Sequence, residues 1–500
     1  MSLEDAEAIA TLRIVLEEAG YSDTAIREGL GISEEFSFRR PDVPLYLRRL
    51  PAEGKLSTLI RLFLLGVAVD LKEAAGCLKP LAVKRLEQMG LVERGALGVR
   101  SRVRILPYNG LLFAYDRHDD NPADFPPDYV IGVNPTSVTL ASLTVRRPVT
   151  SALDLGTGCG VQALLAARHS DHVVAVDINP RALNFSAFNA RLNGMSHVEC
   201  RQGSMFEPVE GSRFDLIVCN PPYVISPDSQ YQYRDSGLPS DAICREIVRR
   251  VPTYLNEGGF AHILCNWVRH RDEEWSARLE EWVDGNGCDA WLLHYKTEDP
   301  LTYAANWNRP LQFGNEAAYS TVLDHWLDYY RGLDIEAISS GAIILRRRSQ
   351  GPTWVRADDL PSGSIGPCSD HIMQFFEAQD YLSHLKDEQA LLNEAFRLVE
   401  HHRLDQSMKS RDGRFVMQEA VLRLEKGLKF HGNLDAYTIQ LVSRCDGRRP
   451  LGDLIAELAQ AMGLPLGELT SAIVAVVRNL FVLGFLERAR PKGDVTPPGV

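Results

Sequence analysis

Apolar residues recur at helical spacing near the start of the chain, at Ile9, Leu12, Val15 and Leu16, and again from Leu56 to Val69. That period predicts amphipathic helices. Pro80 to Leu86 reads as a further short helix, stopped at Gly90 and turning into Leu91-Val92. Arg100 to Leu106 then alternates basic and apolar residues, the period of a strand with a basic outer face. Helices, a glycine turn and a hairpin together predict a helical, winged-helix-like domain over residues 1–105. Two readings of Lys84 and Arg85 stand side by side: a recognition helix, or a helper domain that only packs.

The texture changes over residues 106–350. Apolar runs at 152–155, 172–176, 214–219, 259–264, 290–293 and 341–345 alternate with amphipathic helices such as 181–193 and 241–255. Alternation of this kind builds a parallel sheet from βαβ units. Residues 351–368, punctuated by Pro, Gly and Ser, read as a linker. Beyond it, residues 369–500 are expected to be helical and winged-helix-like. Helices at 451–462 and 469–483 break at Gly463-Leu464-Pro465, and Gly484 to Arg488 resembles a closing strand. The stretch Thr438–Val442 and Cys445–Arg449 resembles small winged-helix modules that grip leader peptides; a dimerisation or lid domain is the other reading.

Composition narrows the class. Five hundred residues are enough for about three domains. With 45% hydrophobic and 24% charged residues, the chain is ordinary globular protein. A net charge of -12 gives no general nucleic-acid signature. Residues 36–105 dissent, with 14 Lys and Arg against 6 Asp and Glu. That stretch could meet phosphates or be a solvated helical surface. Nine scattered cysteines without a Cys-x-x-Cys pair argue against a zinc site or a disulfide framework, and for a reducing compartment. The first residues are acidic where a signal peptide is basic, and Leu62 to Val69 is too short to span a bilayer. A cytoplasmic protein without membrane association is expected.

The chemistry gathers at two places. Asp154-Leu155-Gly156-Thr157-Gly158-Cys159-Gly160 follows a predicted strand and opens an apolar helix. Its glycines allow positive φ and close approach of a ligand, while the helix start offers free N–H groups. Dinucleotide folds use a similar loop, but this one lacks the G-x-G-x-x-G extension and is opened by an acid. Asp177 ends the next strand 23 residues further on, where a carboxylate can accept both ribose hydroxyls. The second place is the strand end Asn220-Pro221-Pro222-Tyr223. Two prolines cannot continue a sheet ladder, so the chain leaves the strand there. An amide side chain, bare carbonyl oxygens and an aromatic face remain at the tip. They suit a flat substrate nitrogen: the Asn220 oxygen and the Pro221 carbonyl could accept hydrogens from an NH2 while Tyr223 stacks on its plane.

Together these motifs resemble those of the class I S-adenosylmethionine-dependent methyltransferases, in the branch with an Asn-Pro-Pro-aromatic tip. That branch includes release-factor and ribosomal-protein glutamine N5-methyltransferases, ribosomal RNA guanine N2-methyltransferases and DNA adenine N6-methyltransferases. The resemblance covers residues 130–350. It implies a Rossmann-like, seven-stranded α/β sheet binding S-adenosyl-L-methionine. It implies that Asp154, Gly156 and Gly158, with Thr157 and Gly160 in the same loop, meet the methionine moiety. Asp177 would hold the ribose and Ile178 pack on the adenine. Many relatives carry an Asp after the third strand, where Ser204 and Met205 stand here. Asn220, Pro221 and Pro222 would orient the acceptor nitrogen and Tyr223 stack on it.

Such a transfer needs positioning more than a base, so no catalytic His or metal is expected. His118, His270, His371, His401 and His402 are read as solvent-facing or structural. Thr136 in the segment ahead of the glycine loop, Tyr233 and Arg234 after the tip, and Trp307 with Tyr303 and Arg309 are candidate substrate contacts. The expected acceptor is macromolecular, a protein or peptide amide ahead of ribosomal RNA or DNA. A non-catalytic S-adenosylmethionine-binding regulator is a further alternative. The sequence leaves the oligomeric state open.

Overall fold

The computed structural model describes residues 1–32, 42–117, 125–309, 316–361, 363 and 365–489. The chain forms two compact units, one of residues 1–141 with 146–359, the other of 142–145 with 360–500.

The first unit opens on the helix Ala6–Glu18, whose start is capped by the Asp5 carboxylate accepting from the Ala8 N–H at 3.0 Å. Its buried face is Ile9, Leu12, Val15 and Leu16, the stripe anticipated from spacing. Two hairpins follow the short helix Val83–Gln88: Val92–Gly95 with Gly98–Ser101, then Val103–Tyr108 with Leu111–Asp116. The basic strand expected over 100–106 is therefore split at Arg102 between two hairpins, and its outer face is not uniformly basic. Arg104 turns inward and is 3% exposed. The second hairpin closes on Asn109-Gly110, both at positive φ (50° and 73°), the two-residue turn that Asn-Gly favours. Arg85 does not present a free cation either, since Asp5 and Glu7 both pair with it.

Eight strands form the central sheet: β1 Val149–Leu155, β2 Ser170–Asp177, β3 Val198–Gln202, β4 Phe214–Cys219, β5 Leu255–Arg269, β6 Cys288–Glu298, β7 Ala337–Arg347 and β8 Val355–Asp359. They lie in the order β8-β6-β7-β5-β4-β1-β2-β3. All neighbours pair parallel except β7, which runs antiparallel to both β5 and β6. Seven of these strands make the methyltransferase-fold sheet. The eighth, β8, comes from the stretch expected as a linker and pairs parallel with β6. One face packs Leu155, Ile217, Ile263, Trp267 and Trp282 into a dry core. Each such side chain contributes about 1.5–3 kcal/mol on burial. The strand order reverses between β1 and β4, which places a crevice at their carboxyl ends.

The second unit has the helix Ser369–His384, the helices Leu451–Met462 and Leu466–Val482, and a three-stranded sheet of Asp446–Pro450, Ala395–Leu398 and Leu486–Arg488. The closing strand expected near 484–488 is the edge of that sheet. Beside these helices the unit holds an element that the sequence reading did not include: residues 402–424 form a long hairpin, His402–Arg411 with Arg414–Leu424, extended by His431–Asn433. Asp412-Gly413 at its turn sits at φ 52° and 74°. Asp-Gly is the hairpin signal that helical reading passed over.

Candidate active site

A cavity of about 320 Å³ opens at the carboxyl ends of β1, β2 and β4. Such a volume suits a small organic ligand. The glycine loop forms its floor. Gly156, Gly158 and Gly160 all have positive φ (77°, 56° and 88°). The Gly156 and Thr157 N–H groups both donate to the Val176 carbonyl at 2.9 Å, tying the loop to β2. The glycines differ in what excludes a side chain. At Gly158 a Cβ would meet nothing within 4 Å, whereas at Gly160 it would lie 2.8 Å from Ser186 Oγ and 3.0 Å from Leu164 Cδ1. Gly158 is open toward the ligand space; Gly160 lets the loop close onto the helix Pro180–Leu192 and does not line the cavity.

Two carboxylates brace the loop. Asp154 Oδ2 accepts from Thr157 Oγ1 at 2.6 Å and from the Ala163 N–H at 2.9 Å. Burial pushes its pKa up to about 7 against those two bonds. Asp177 accepts from the Gly158 N–H at 2.8 Å and the Asn179 N–H at 2.9 Å, and burial raises its pKa as well. Each carboxylate oxygen has a second lone pair for a hydroxyl donor. Ile178, 58% exposed, forms the rim beside it, and Ser204 and Met205 line the same wall.

The strand tip supplies the opposite wall. Asn220, Pro221 and Pro222 line the cavity. The Asn220 side-chain oxygen is buried and has no hydrogen-bond partner. An unmet buried acceptor costs about 1–3 kcal/mol, so its presence marks a place kept for a donor. The Pro221 carbonyl accepts from the Tyr223 N–H at 2.8 Å. Tyr223 itself is not in the cavity lining: its ring packs against two core clusters and its hydroxyl bonds Thr136, burial lifting its pKa to about 12. The structure thus places Tyr223 behind the tip rather than over an acceptor plane.

Of the substrate candidates, Tyr233 lines the cavity, stacked edge-on against Tyr129 at 6.0 Å. Arg234 does not. It is buried, pairs with Asp235 at 2.7 Å and lies over the Tyr231 and Trp326 rings, so it holds the loop's shape. Thr136 bonds the Asn134 carboxamide at 2.6 Å and stands behind the wall. Tyr303 and Trp307 belong to the second core cluster around Trp326 and Tyr330. Arg309 bonds Asn306 at 2.9 Å. His371 is structural, its ring between the Leu428 N–H and the Leu483 carbonyl, with its pKa lowered to about 4 by burial. His118 lies outside the described residues.

Sequence reasoning missed a bracing layer contributed by the first hundred or so residues. On the helix Pro180–Leu192, the Asn189 carboxamide accepts from the Ala114 N–H at 2.7 Å and donates to the Ala114 carbonyl and the Cys159 carbonyl, both at 2.8 Å. Asn193 makes the matching pair with Leu112, at 2.9 and 2.8 Å. Four helical residues rise about 6 Å and two strand residues about 6.6 Å, so two asparagines stand in for a neighbouring strand. Asp116 accepts from the Val130 N–H at 2.9 Å and from Arg181 Nε at 2.8 Å, fixing another cavity-lining segment. An Asn at i and i+4 on one helix face was the legible signal.

A Rossmann-like sheet with one antiparallel strand inside its edge, a glycine loop after β1 and an acid after β2 define the methyltransferase fold. Residues 133–279 match the family described as "Methyltransferase small domain". Residues 18–102 and 373–488 each match a domain of unknown function. The chain is 39% identical over 127 residues to the release factor glutamine methyltransferase of Xylella fastidiosa, covering 23% of this chain and 46% of that protein. It is 34% identical over 137 residues to the ribosomal protein uL3 glutamine methyltransferase of Bradyrhizobium diazoefficiens, covering 25% and 42%. The ribosomal RNA small subunit methyltransferase C of Alcanivorax borkumensis matches at 31% over 114 residues, 23% and 31% of the two chains. The chain spans about half the length, or less, of these relatives.

Proposed function

We propose that this protein is an S-adenosylmethionine-dependent N-methyltransferase whose acceptor is the side-chain amide of a protein or peptide glutamine. The observation that carries the reading is the buried, unpartnered Asn220 oxygen in the wall of the glycine-loop cavity. The residues suit the cofactor: Gly158 leaves room for close approach, and Asp177 offers acceptors to a diol. When bound, S-adenosylmethionine supplies an electrophilic methyl on a sulfonium. Asn220 Oδ1 and the second lone pair of the Pro221 carbonyl each accept one hydrogen of the acceptor NH2. Held this way, the amide nitrogen presents its out-of-plane lone pair to the methyl. Such positioning can account for about 7–11 kcal/mol of barrier. No base is needed beforehand, because the proton becomes acidic once the nitrogen is alkylated.

Protein is favoured over nucleic acid in part because several cations of the N-terminal segment already hold carboxylate partners. Arg61 pairs with Glu73, Lys55 with Glu18, Arg94 with Glu87 and Arg85 with Asp5. The similarity to two glutamine methyltransferases supports the same choice. Nine cysteines with free thiols support a cytoplasmic setting. No helix of the described residues is long and apolar enough to cross a membrane. The test is methyl transfer from labelled S-adenosylmethionine into an extract lacking the protein, split into nuclease- and protease-treated portions. Label should survive nuclease and vanish with protease. Asn220→Ala should bind cofactor normally and lose transfer by about 10²–10³-fold, as expected for removing one preorganised polar group at the reacting centre. Unchanged transfer by that variant refutes the assignment.

A further inference from the structure

The hairpin of the second unit is a two-faced finger. At its base Ala420, Leu422 and Leu424 are buried, while every residue from Ser407 through Val416 is exposed. Pairing sorts the outer side chains. Arg411 lies directly opposite Arg414 and Lys409 opposite Val416, so the three cations share one face. Met408 opposite Met417 and Ser410 opposite Phe415 occupy the other, with Phe415 75% and Met408 52% exposed.

The charges are unbalanced. Arg403 and Arg423, nearer the base, share Asp405 at 2.9 Å each. Among the described residues, Lys409, Arg411 and Arg414 form no ion pair. Like charges directly opposite on a ribbon repel, and an exposed phenylalanine gains nothing from burial in this chain. Both costs vanish against a partner offering anions to one face and a flat apolar surface to the other. A nucleotide carries both, a phosphate and a base joined by one sugar. At the turn the two faces are a single residue apart, since Phe415 follows Arg414.

We propose that this finger binds single-stranded nucleic acid, with phosphates on Lys409, Arg411 and Arg414 and an unstacked base on Phe415. The inference stands apart from the methyl-transfer reading: it concerns the second unit alone and requires no turnover. An acidic protein groove would need carboxylates on one wall and apolar residues on the other, and is the competing outcome.

The experiment is fluorescence anisotropy of an end-labelled 20-nucleotide oligouridine titrated with the full chain from 50 to 200 mM salt. Three phosphate contacts give a slope of log K against log salt of about -2. The pair R411E/R414E should lose at least tenfold in affinity and flatten that slope. Phe415→Ser should weaken binding roughly 5- to 150-fold and leave the slope unchanged, the range for loss of one stacked base. All positions are solvent-exposed, so unchanged thermal melting of the variants keeps a folding defect out of the comparison. Absence of binding at 50 mM salt, equal binding by the charge-reversed pair, or tighter binding of a polyglutamate peptide overturns the proposal, and the matching oligothymidine tells an RNA from a DNA preference.

Discussion

Replacing Asn189 by leucine, which has the same number and branching of side-chain heavy atoms, tests whether the N-terminal hairpin is part of the scaffold of the glycine-loop cavity. The asparagine is fully buried and serves three backbone groups: the Ala114 N–H, the Ala114 carbonyl and the Cys159 carbonyl. Leucine leaves all three without a partner in a place water does not reach. Each orphaned group costs about 1–3 kcal/mol, carbonyls toward the lower end. Leucine returns part of that through apolar burial, about 1.5–3 kcal/mol. The expected net loss is about 3 kcal/mol. For a large domain, each kcal/mol moves the melting temperature by about 2–4 °C, so a fall of about 6–12 °C is expected. Differential scanning calorimetry on the full chain reads it directly. Asn193→Leu is the internal control: its bonds to Leu112 are partly solvent-accessible, so water replaces them and the loss should stay near 1 kcal/mol. Because Asn189 also holds the glycine loop through Cys159, isothermal titration should show weaker cofactor binding for the first variant and not the second. A melting temperature for Asn189→Leu within 2 °C of the parent would refute the scaffold role.

The glycine loop offers a paired prediction. Gly158→Ala should lose only the cost of holding alanine at φ 56°, about 1–2 kcal/mol, since its Cβ meets nothing, yet lose cofactor affinity. Gly160→Ala should lose more stability, because the new methyl meets Ser186 and Leu164 while φ stays at 88°; the reverse ranking in calorimetry and titration would sink the distinction. Asp154 predicts a pH dependence. Its folded pKa of about 7 stands above the unfolded 3.8, so the folded form binds the extra proton between those values. Its contribution therefore weakens the fold as pH rises from about 4 to 7 and is level above that. The melting-temperature gap between Asp154→Asn and the parent should move in the variant's favour across pH 5 to 7 and then hold steady. A gap independent of pH over that window would show that Asp154 stays ionised in the folded chain.

Much of the central domain was readable because its signals are local. Strand runs such as Phe214–Cys219, the glycine loop and the Asn-Pro-Pro-Tyr tip each state their geometry within seven residues. The roles of single side chains were less readable, since those depend on what packs behind them. Tyr223 looked like a stacking surface because tyrosines at strand ends often are. Only the placement of Thr136 and the two core clusters shows it turned inward. Arg234 looked like a substrate contact until Asp235, one residue away, claimed it. The hairpin at 402–424 was missed for a different reason. Its apolar face is continuous only at the base and its outer half is polar and charged, so alternation was hard to separate from a solvated helix. Asp412-Gly413 was the one local clue.

The matched methyltransferase segment begins at residue 133, yet the compact unit that contains it begins at Met1. The side chains explain why. Among the described residues, strand Leu111–Asp116 has no strand beside it on the Asn189–Asn193 side and is completed there by two carboxamides, from the helix Pro180–Leu192 and its C-cap. Its last residue, Asp116, then reaches Val130 on the cavity wall and Arg181 at the start of the helix that follows Asp177. A backbone edge satisfied by side chains is less tolerant than one satisfied by a strand, because each asparagine has one rotamer that serves both its donor and its acceptor. The hairpin and the glycine loop are thereby held to a common register through Asn189. A displacement of either is felt by the other within one hydrogen bond. The N-terminal segment is thus a wall of the glycine-loop domain, joined to it through hydrogen bonds of defined geometry.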